Sequence, residues 1–382
     1  MADDRPPTEL GASTPLAPPL FPSSVYTMPD LDAYERIMRA EAPGFYYARD
    51  GHPNAHRLAA RLAAMEGGRW GVICGSGMAA ISALFLATLR SGDRVVASNR
   101  LYGRASQLLR QEMIRLGVKT DFVDLNDLEE AKKALTAPAR MVYVETITNP
   151  LVRTADLPRL AQLARERGSL FVVDNTFATP VLARPLEVGA DLVMESVTKM
   201  IGGHSDLTLG AVCGRGDWFA EVGRAASVWG LSSSPFDCWL AERGLETLPL
   251  RMKAASANAA ALADWLAERP GVTRVIYPGR ADHPDHAAAR RVLNGGYGNM
   301  LCMELAGGRD AVNRFMRKAT GIPFSPSLGH VSTTCSHPAS TSHRFVAAEE
   351  KARQGITDGL VRLSVGCEEL GRIQEQMATG LS

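Results

Sequence analysis

The sequence predicts an α/β protein, with a large, mostly parallel sheet covered on both faces and a smaller C-terminal α/β unit. Three observations point there. Between Trp70 and Cys213, short apolar runs alternate with helical stretches. Most of those runs are apolar nearly throughout, as strands buried on both faces must be. At 382 residues the chain is too long for one simple core, given roughly 100–200 residues per domain. The expected division is an extended arm and connecting segment over 1–54, a large unit over 55–250 and a small unit over 251–382.

The elements follow in order. Residues 1–27 are proline-rich, and Thr14 to Pro22 must run extended. The apolar side chains there (Leu16, Leu20, Phe21, Val25, Tyr26) favour an arm laid on another surface. Asp30 can cap a short helix to about Arg39. An aromatic, basic, turn-rich stretch over 44–54 leads into an amphipathic helix, Ala55 to Glu66, which Gly67-Gly68 ends. Strands are then expected at Val72–Cys74, Arg94–Ala97, Lys119–Val123, Met141–Val144, Leu170–Val173, Val188–Met194 and Leu207–Val212. Helices are expected at Met78–Leu89, Arg104–Leu116, Leu125–Leu135 and Leu157–Arg167. Two helices are expected within 235–268, one starting at Asp237 and one over Ala254–Leu266. Beyond Val272, strands and helices alternate again, with strands at Val272–Tyr277, Met300–Leu305 and Gly359–Val365.

Composition excludes several classes. Forty-two basic residues balance 41 acidic ones, which argues against nucleic acid or a membrane surface as the main partner. No apolar run approaches the roughly 18 residues needed to span a bilayer, and the N-terminus lacks the pattern of a secretory signal. The six cysteines are scattered with no C-x-x-C pair, so no metal site is expected and a reduced, cytoplasmic setting fits.

Ligands of parallel α/β sheets bind beyond the carboxyl ends of the strands. Five strand ends carry chemistry. Gly75-Ser76-Gly77-Met78 opens a helix and could cradle a phosphate, or is a tight turn. Tyr102 could stack on a flat ring, or is a half-buried aromatic. Asn149 offers an amide, though Asn-Pro also starts turns. Asp174, at the end of an apolar strand before Asn175 and Thr176, could pair with a cationic ring nitrogen or make an Asx turn. Lys199, with hydroxyls at Ser196 and Thr198, is a candidate amine nucleophile or an exposed junction lysine. Taken together they match one molecule. Pyridoxal 5′-phosphate (PLP) has a phosphate, a flat ring, a ring oxygen, a ring nitrogen and an aldehyde, and each finds one partner. Arg362, inside an apolar strand, would suit the carboxylate of an amino-acid substrate, or an internal ion pair.

These residues resemble the fold-type I, PLP-dependent enzymes of cysteine and methionine metabolism. The resemblance runs from about Pro18 to Leu381 and rests on Tyr47-Ala48-Arg49, Gly75-Ser76-Gly77-Met78, Leu101-Tyr102-Gly103, Asn149-Pro150, Asp174-Asn175-Thr176, Ser196-Val197-Thr198-Lys199, Ser327-Leu328-Gly329 and Arg362-Leu363-Ser364. It implies that Lys199 links to the cofactor and shuttles protons, that Asp174 meets the ring nitrogen, and that Tyr102 stacks on the ring. Gly77, Met78, Ser196 and Thr198 would hold the phosphate, with Ser76 and Thr176 beside it. Tyr47 and Arg49 would do so from a neighbouring subunit of a homotetramer. Asn149 would contact the ring oxygen or the substrate carboxylate, and Arg362 and Ser327 the carboxylate end. The implied chemistry is γ-elimination from a sulfur amino acid such as cystathionine or methionine. The alternative is γ-replacement on an O-acyl-homoserine. A non-catalytic relative would be expected to lose some of Lys199, Asp174, Tyr102 and Arg362; all four are present.

The sequence departs from the family's specialist patterns at three places. Tyr46 and Ser332 stand where cystathionine-handling enzymes usually carry acids. Arg104 stands where methionine γ-lyases usually carry a cysteine.

Overall fold

The structure is a computed structural model that describes residues 15–382. Residues 1–14 of the expected arm lie outside the described residues. Seven strands form the large sheet: β1 (Trp70–Cys74), β2 (Arg94–Ser98), β3 (Lys119–Val123), β4 (Met141–Glu145), β5 (Leu170–Asp174), β6 (Leu192–Glu195) and β7 (Gly210–Gly214). Their order is β1-β7-β6-β5-β4-β2-β3, with β7 antiparallel to both neighbours and every other pairing parallel. The expected mostly parallel sheet is therefore present.

Side chains alternate across it. In β4, Val142 and Val144 enter the core on one face, with the helices Pro53–Glu66 and Leu157–Glu166. Met141 and Tyr143 enter the opposite core, against the helices Gly77–Thr88 and Phe219–Val228. All five β4 residues are buried, which is why the strand carries no polar–apolar alternation in the sequence.

The second sheet contains β8 (Val272–Ile276), β9 (Met300–Leu305), β10 (Thr334–Ser336) and β11 (Leu360–Ser364), in the order β10-β11-β9-β8. It is antiparallel throughout, a property that the alternating sequence pattern did not predict. β10 and the helix Ala348–Gln354 were also not anticipated.

Two expectations fail for identifiable reasons. Residues 235–267 form one helix of 33 residues, not two. Pro249 lies inside it, where proline removes an intrahelical hydrogen bond. Packing at both ends overrides that cost. Cys238, Leu245 and Met252 are buried in the large-sheet core, and Ala259, Leu262 and Leu266 in the small-sheet core. The strand expected from Val188 begins only at Leu192. Pro185–Val188 is a 3-10 turn closed by Gly189 at φ 109°, a left-handed position that β-strands do not use.

The visible part of the arm is extended and pinned in two places. Trp239 Nε1 donates to Pro18 O at 2.9 Å, and Asn54 exchanges bonds with Pro19 O and Phe21 N. The helix Leu31–Met38 buries no residue in this chain and leaves Leu31 and Met38 exposed.

Candidate active site

The carboxyl ends of β1, β2, β4, β5 and β6 converge, as expected for a parallel sheet. Lys199 follows β6 on a tight turn whose backbone is clamped from three sides. Gly329, at φ 85°, brings its own backbone so close that an added Cβ would lie 2.7 Å from Met200 N. Gly244 of the long helix packs equally tightly on Gly202 O, 2.5 Å from its own would-be Cβ. The Arg251 guanidinium bonds the carbonyls of Met200, Ile201 and Gly244. No larger residue at either glycine would leave this turn in place.

The amine so held donates to Ser327 Oγ at 2.9 Å. Burial, and then the nearby Arg362 charge, lower its pKa from 10.5 to about 8. A substantial neutral fraction near pH 8 is what an amine nucleophile or proton acceptor needs. Ser327 also accepts from Arg362 Nη2 through its carbonyl, at 2.9 Å. Arg362 Nη1 donates to Asn149 Oδ1 at 2.8 Å. Arg362 is 2 % exposed, has no carboxylate among the described residues within 4.0 Å, and leaves Nε without a partner. Its pKa falls to about 10, chiefly through burial. A buried guanidinium with a free donor and no counter-ion is a site waiting for an anion.

Asp174 ends β5 and is buried. One carboxylate oxygen, Oδ1, accepts from Thr176 N at 3.0 Å. Burial raises its pKa. An acid of this kind needs a cation, and a pyridinium N–H supplies one. Thr176 Oγ1 accepts from Ser196 N at 2.9 Å, so Thr176 ties the ends of β5 and β6 together. Ser76 caps the helix Gly77–Thr88 by accepting from Ala79 N at 3.0 Å. The first-turn amides of Gly77 and Met78 have no intrahelical acceptor. A Cβ on Gly77 would lie 2.8 Å from Ser196 Oγ, so that glycine keeps open a cradle lined by amides and a hydroxyl. The donor set, the orphaned Arg362 Nε and the uncompensated Asp174 all fit PLP and an amino acid.

Four expected residues have surroundings that the sequence does not reveal. Thr198 Oγ1 accepts from Leu209 N and donates to Leu209 O, both at 3.0 Å, so it stabilises the turn. Asn149 Oδ1 faces Arg362, which favours the carboxylate end over the ring oxygen. Tyr47 and Arg49 lie on the N-terminal segment, where Arg49 stacks on Tyr47 and pairs with Asp50. Neither bonds to a strand-end residue within this chain. Of the departures, Tyr46 packs edge-on against Tyr34. Ser332 is half-buried beside Thr333, whose N–H and hydroxyl bond Glu368.

Sequence reasoning missed Glu145. It ends β4 opposite Asp174 and is buried. Oε1 accepts from Tyr102 N at 2.5 Å and Oε2 from Asn149 N at 3.2 Å. One side chain thus fixes the ring-stacking turn and the Asn149–Arg362 pair. Burial, and then Asp174, push its pKa well up. The signal was available: like Asp174, it is an acid closing an apolar strand. Deeper still, Glu66 Oε1 accepts from Asn175 Nδ2 at 3.0 Å, and Thr146 Oγ1 donates to Asn175 Oδ1 at 2.7 Å. Glu195 lies beside Glu66, both buried. Burial raises Glu66 to about 7 and Glu195 well above its usual range. Two such acids close together hold a proton at neutral pH.

A desolvated lysine, an uncompensated acid, a helix-terminal cradle and a buried arginine fork define an enzyme that binds PLP and an amino acid. The chain belongs to the Cys/Met metabolism PLP-dependent enzyme family, whose profile matches residues 5–382. It is 39% identical to an O-succinylhomoserine sulfhydrylase of Pseudomonas aeruginosa over 363 residues, covering 95% of this chain and 90% of that one. It is also 39% identical to an L-methionine gamma-lyase of Pseudomonas putida, over 93% and 89% of the two chains. A crystal structure of cystathionine gamma synthase from Xanthomonas oryzae pv. oryzae, in complex with cystathionine, superposes with a TM-score of 0.91 at 37% identity, over 96% and 92% of the chains. No helix among the described residues is long and apolar enough to cross a membrane.

Proposed function

We propose that this enzyme breaks the bond between Cγ and its substituent in a γ-substituted 2-aminobutanoate. The favoured reaction is γ-elimination from a thioether such as methionine or cystathionine, giving 2-oxobutanoate, ammonia and a thiol. The array Lys199–Ser327–Arg362–Asn149 carries the reading, because it sets a partly neutral amine beside a carboxylate grip. Bound PLP supplies a carbonyl for the substrate amine and an electron sink that acidifies the hydrogens at Cα and Cβ.

The chain's residues do the rest. Arg362, with Asn149 and Ser327, binds and orients the α-carboxylate. That places Cα by Lys199 Nζ, which takes the Cα proton and returns it later in the cycle. Asp174, steadied by Thr176, holds the proton on the ring nitrogen. Gly77, Met78 and Ser196 take the phosphate, with Ser76 and Thr176 shaping the cradle. Tyr102 covers the ring face, on a turn that Glu145 fixes. Tyr47 and Arg49, which bond no strand-end residue of their own chain, would reach the phosphate of a second copy in a homotetramer. The helix Leu31–Met38, which buries no residue in this chain, suits burial in such an assembly. The units divide near 54/55 and 250/251, the second boundary falling inside the long helix. All six cysteines are free thiols, and a reducing cytoplasm fits them.

γ-Replacement on an O-acyl-homoserine is the second reading, favoured by the arginines at the outer rim described below. Assaying 2-oxobutanoate from L-methionine, L-cystathionine and O-succinyl-L-homoserine, with and without sulfide or cysteine, separates the two. Thioether product from the ester plus a thiol, with no 2-oxobutanoate from any thioether, would remove the lyase reading.

A further inference from the structure

We propose that Arg104 and Arg344, stacked on Phe345, form a second anion grip at the outer rim of the pocket. It takes the free carboxylate at the far end of a substrate activated as a dicarboxylic acid monoester. This rests on the reading of the site as one for Cγ chemistry, and it bears on the second reaction of that reading, replacement on an activated ester.

Arg104 lies two residues beyond Tyr102, and Arg344 follows His343. The two turns are in contact, since a Cβ on Gly103 would lie 2.7 Å from Ser342 O. The turn over 341–345 also reaches inward. His343 is buried, and after desolvation the Arg362 charge is the largest influence on its imidazole. Tyr102 in turn acts on Arg362. Glu145, which accepts from both Tyr102 N and Asn149 N, ties the Tyr102 end to the Asn149–Arg362 pair, and the Gly103–Ser342 approach brings the 341–345 turn to it.

Phe345 is 71% exposed, with the Arg104 guanidinium 5.1 Å and the Arg344 guanidinium 4.8 Å from its centroid. No other ring among the described residues carries two. Neither arginine has a carboxylate within 4.0 Å among the described residues. Arg104 spends one donor on Gln107 Oε1, at 2.7 Å. Stacking holds a guanidinium by its face and leaves its N–H edge for a carboxylate. Two like charges gathered on one ring repel each other until an anion joins them.

The charge also discriminates. Methionine ends in an uncharged methyl group and gains nothing here. The distal end of cystathionine is a zwitterion, whose ammonium offsets part of what its carboxylate gains. A succinyl-type ester presents a carboxylate alone.

The test uses the holoenzyme in two arms. In the first, kcat/KM is measured for O-succinyl- and O-acetyl-L-homoserine, which share a reacting centre and differ in the distal carboxylate. The succinyl ester should be preferred by about ten- to a hundredfold. R104Q, R344Q and the double variant should remove that preference by raising KM for the succinyl ester alone. In the second arm, calorimetry compares L-2-aminosuberate, which has a distal carboxylate and no leaving group, with L-norleucine. Tighter binding of the aminosuberate that weakens with salt and disappears in the double variant supports the grip. Equal affinities in the wild type, or a preference that survives both substitutions, overturns it. Failure of the functional reading looks different: no ester or thioether is turned over, while calorimetry still decides whether the arginines hold the carboxylate.

Discussion

The inner and outer ends of the pocket hold their arginines in opposite ways. Arg362 sits in the middle of β11, buried, with two donors committed to Asn149 and Ser327. Arg104 opens the helix Gly103–Gln107 and Arg344 sits on a turn, both exposed and braced by a ring. A buried guanidinium costs several kcal/mol unless its donors are met, so its position is dictated by the fold. An exposed one is inexpensive to hold and to exchange. The fixed grip suits the carboxylate that every amino-acid substrate shares. The exchangeable one suits the part that varies.

Breaking the inner end should cost most. Lys199→Ala removes the amine and should lower 2-oxobutanoate release by roughly a thousandfold or more, with the circular dichroism of the fold unchanged. Arg362→Ala should reduce kcat/KM by about 2–5 kcal/mol for every substrate, mainly through KM. Arg362→Lys restores charge without the fork and should recover only part. Should the Arg104 variants depress all substrates as evenly as Arg362→Ala does, the contrast between the two ends is wrong.

The dryness of the inner end can be measured through stability. Lys199 titrates near 8 in the folded apoprotein and near 10.5 when unfolded. Between those values the unfolded chain binds the extra proton, so apoprotein stability should rise with pH across this window. Below pH 8 both states are protonated and the burial penalty is fully present. Lys199→Met should therefore stabilise the apoprotein at pH 7 by on the order of 2 kcal/mol, and by less at pH 10. Denaturant midpoints at the two pH values check this; an equal gain at both would contradict a dry amine. The smallest effect is expected at Glu145. Glu145→Gln cannot accept at both Tyr102 N and Asn149 N, and should cost about tenfold in kcat/KM. The cofactor's absorption band should shift, which a loss of stability alone would not produce.

Much of this was readable in the sequence because parallel strands are apolar and their ends are not. Asp174 and Lys199 stand out as polar residues closing apolar runs. Glu145 obeys the same rule, but its task is to hold backbone amides, and no spacing reveals that. Thr198 shows a further task that the sequence does not reveal: its hydroxyl also bonds Leu209 N and O and so braces the turn that carries Lys199. The long helix escaped because Pro249 argues locally for a break, while burial at both ends argues for continuity. The antiparallel pairing of the small sheet is a tertiary choice that its strand pattern does not encode. Arg104 was flagged as a departure, but only the fold brings Phe345 and Arg344 to it.

The bonds that build the inner site also join the two sheets. Asn149 and Lys199 follow β4 and β6 of the large sheet, Ser327 lies on the loop before β10 and Arg362 in β11 of the small one, so both Lys199–Ser327 and Arg362–Asn149 cross the seam. An incoming carboxylate competes for these same donors. Ligand occupancy and the relative seating of the two sheets are then linked functions: whatever free energy the seam loses when substrate enters must come back from the substrate's own contacts, and is restored to the seam when product leaves. The pocket is in this sense a latch between the two sheets.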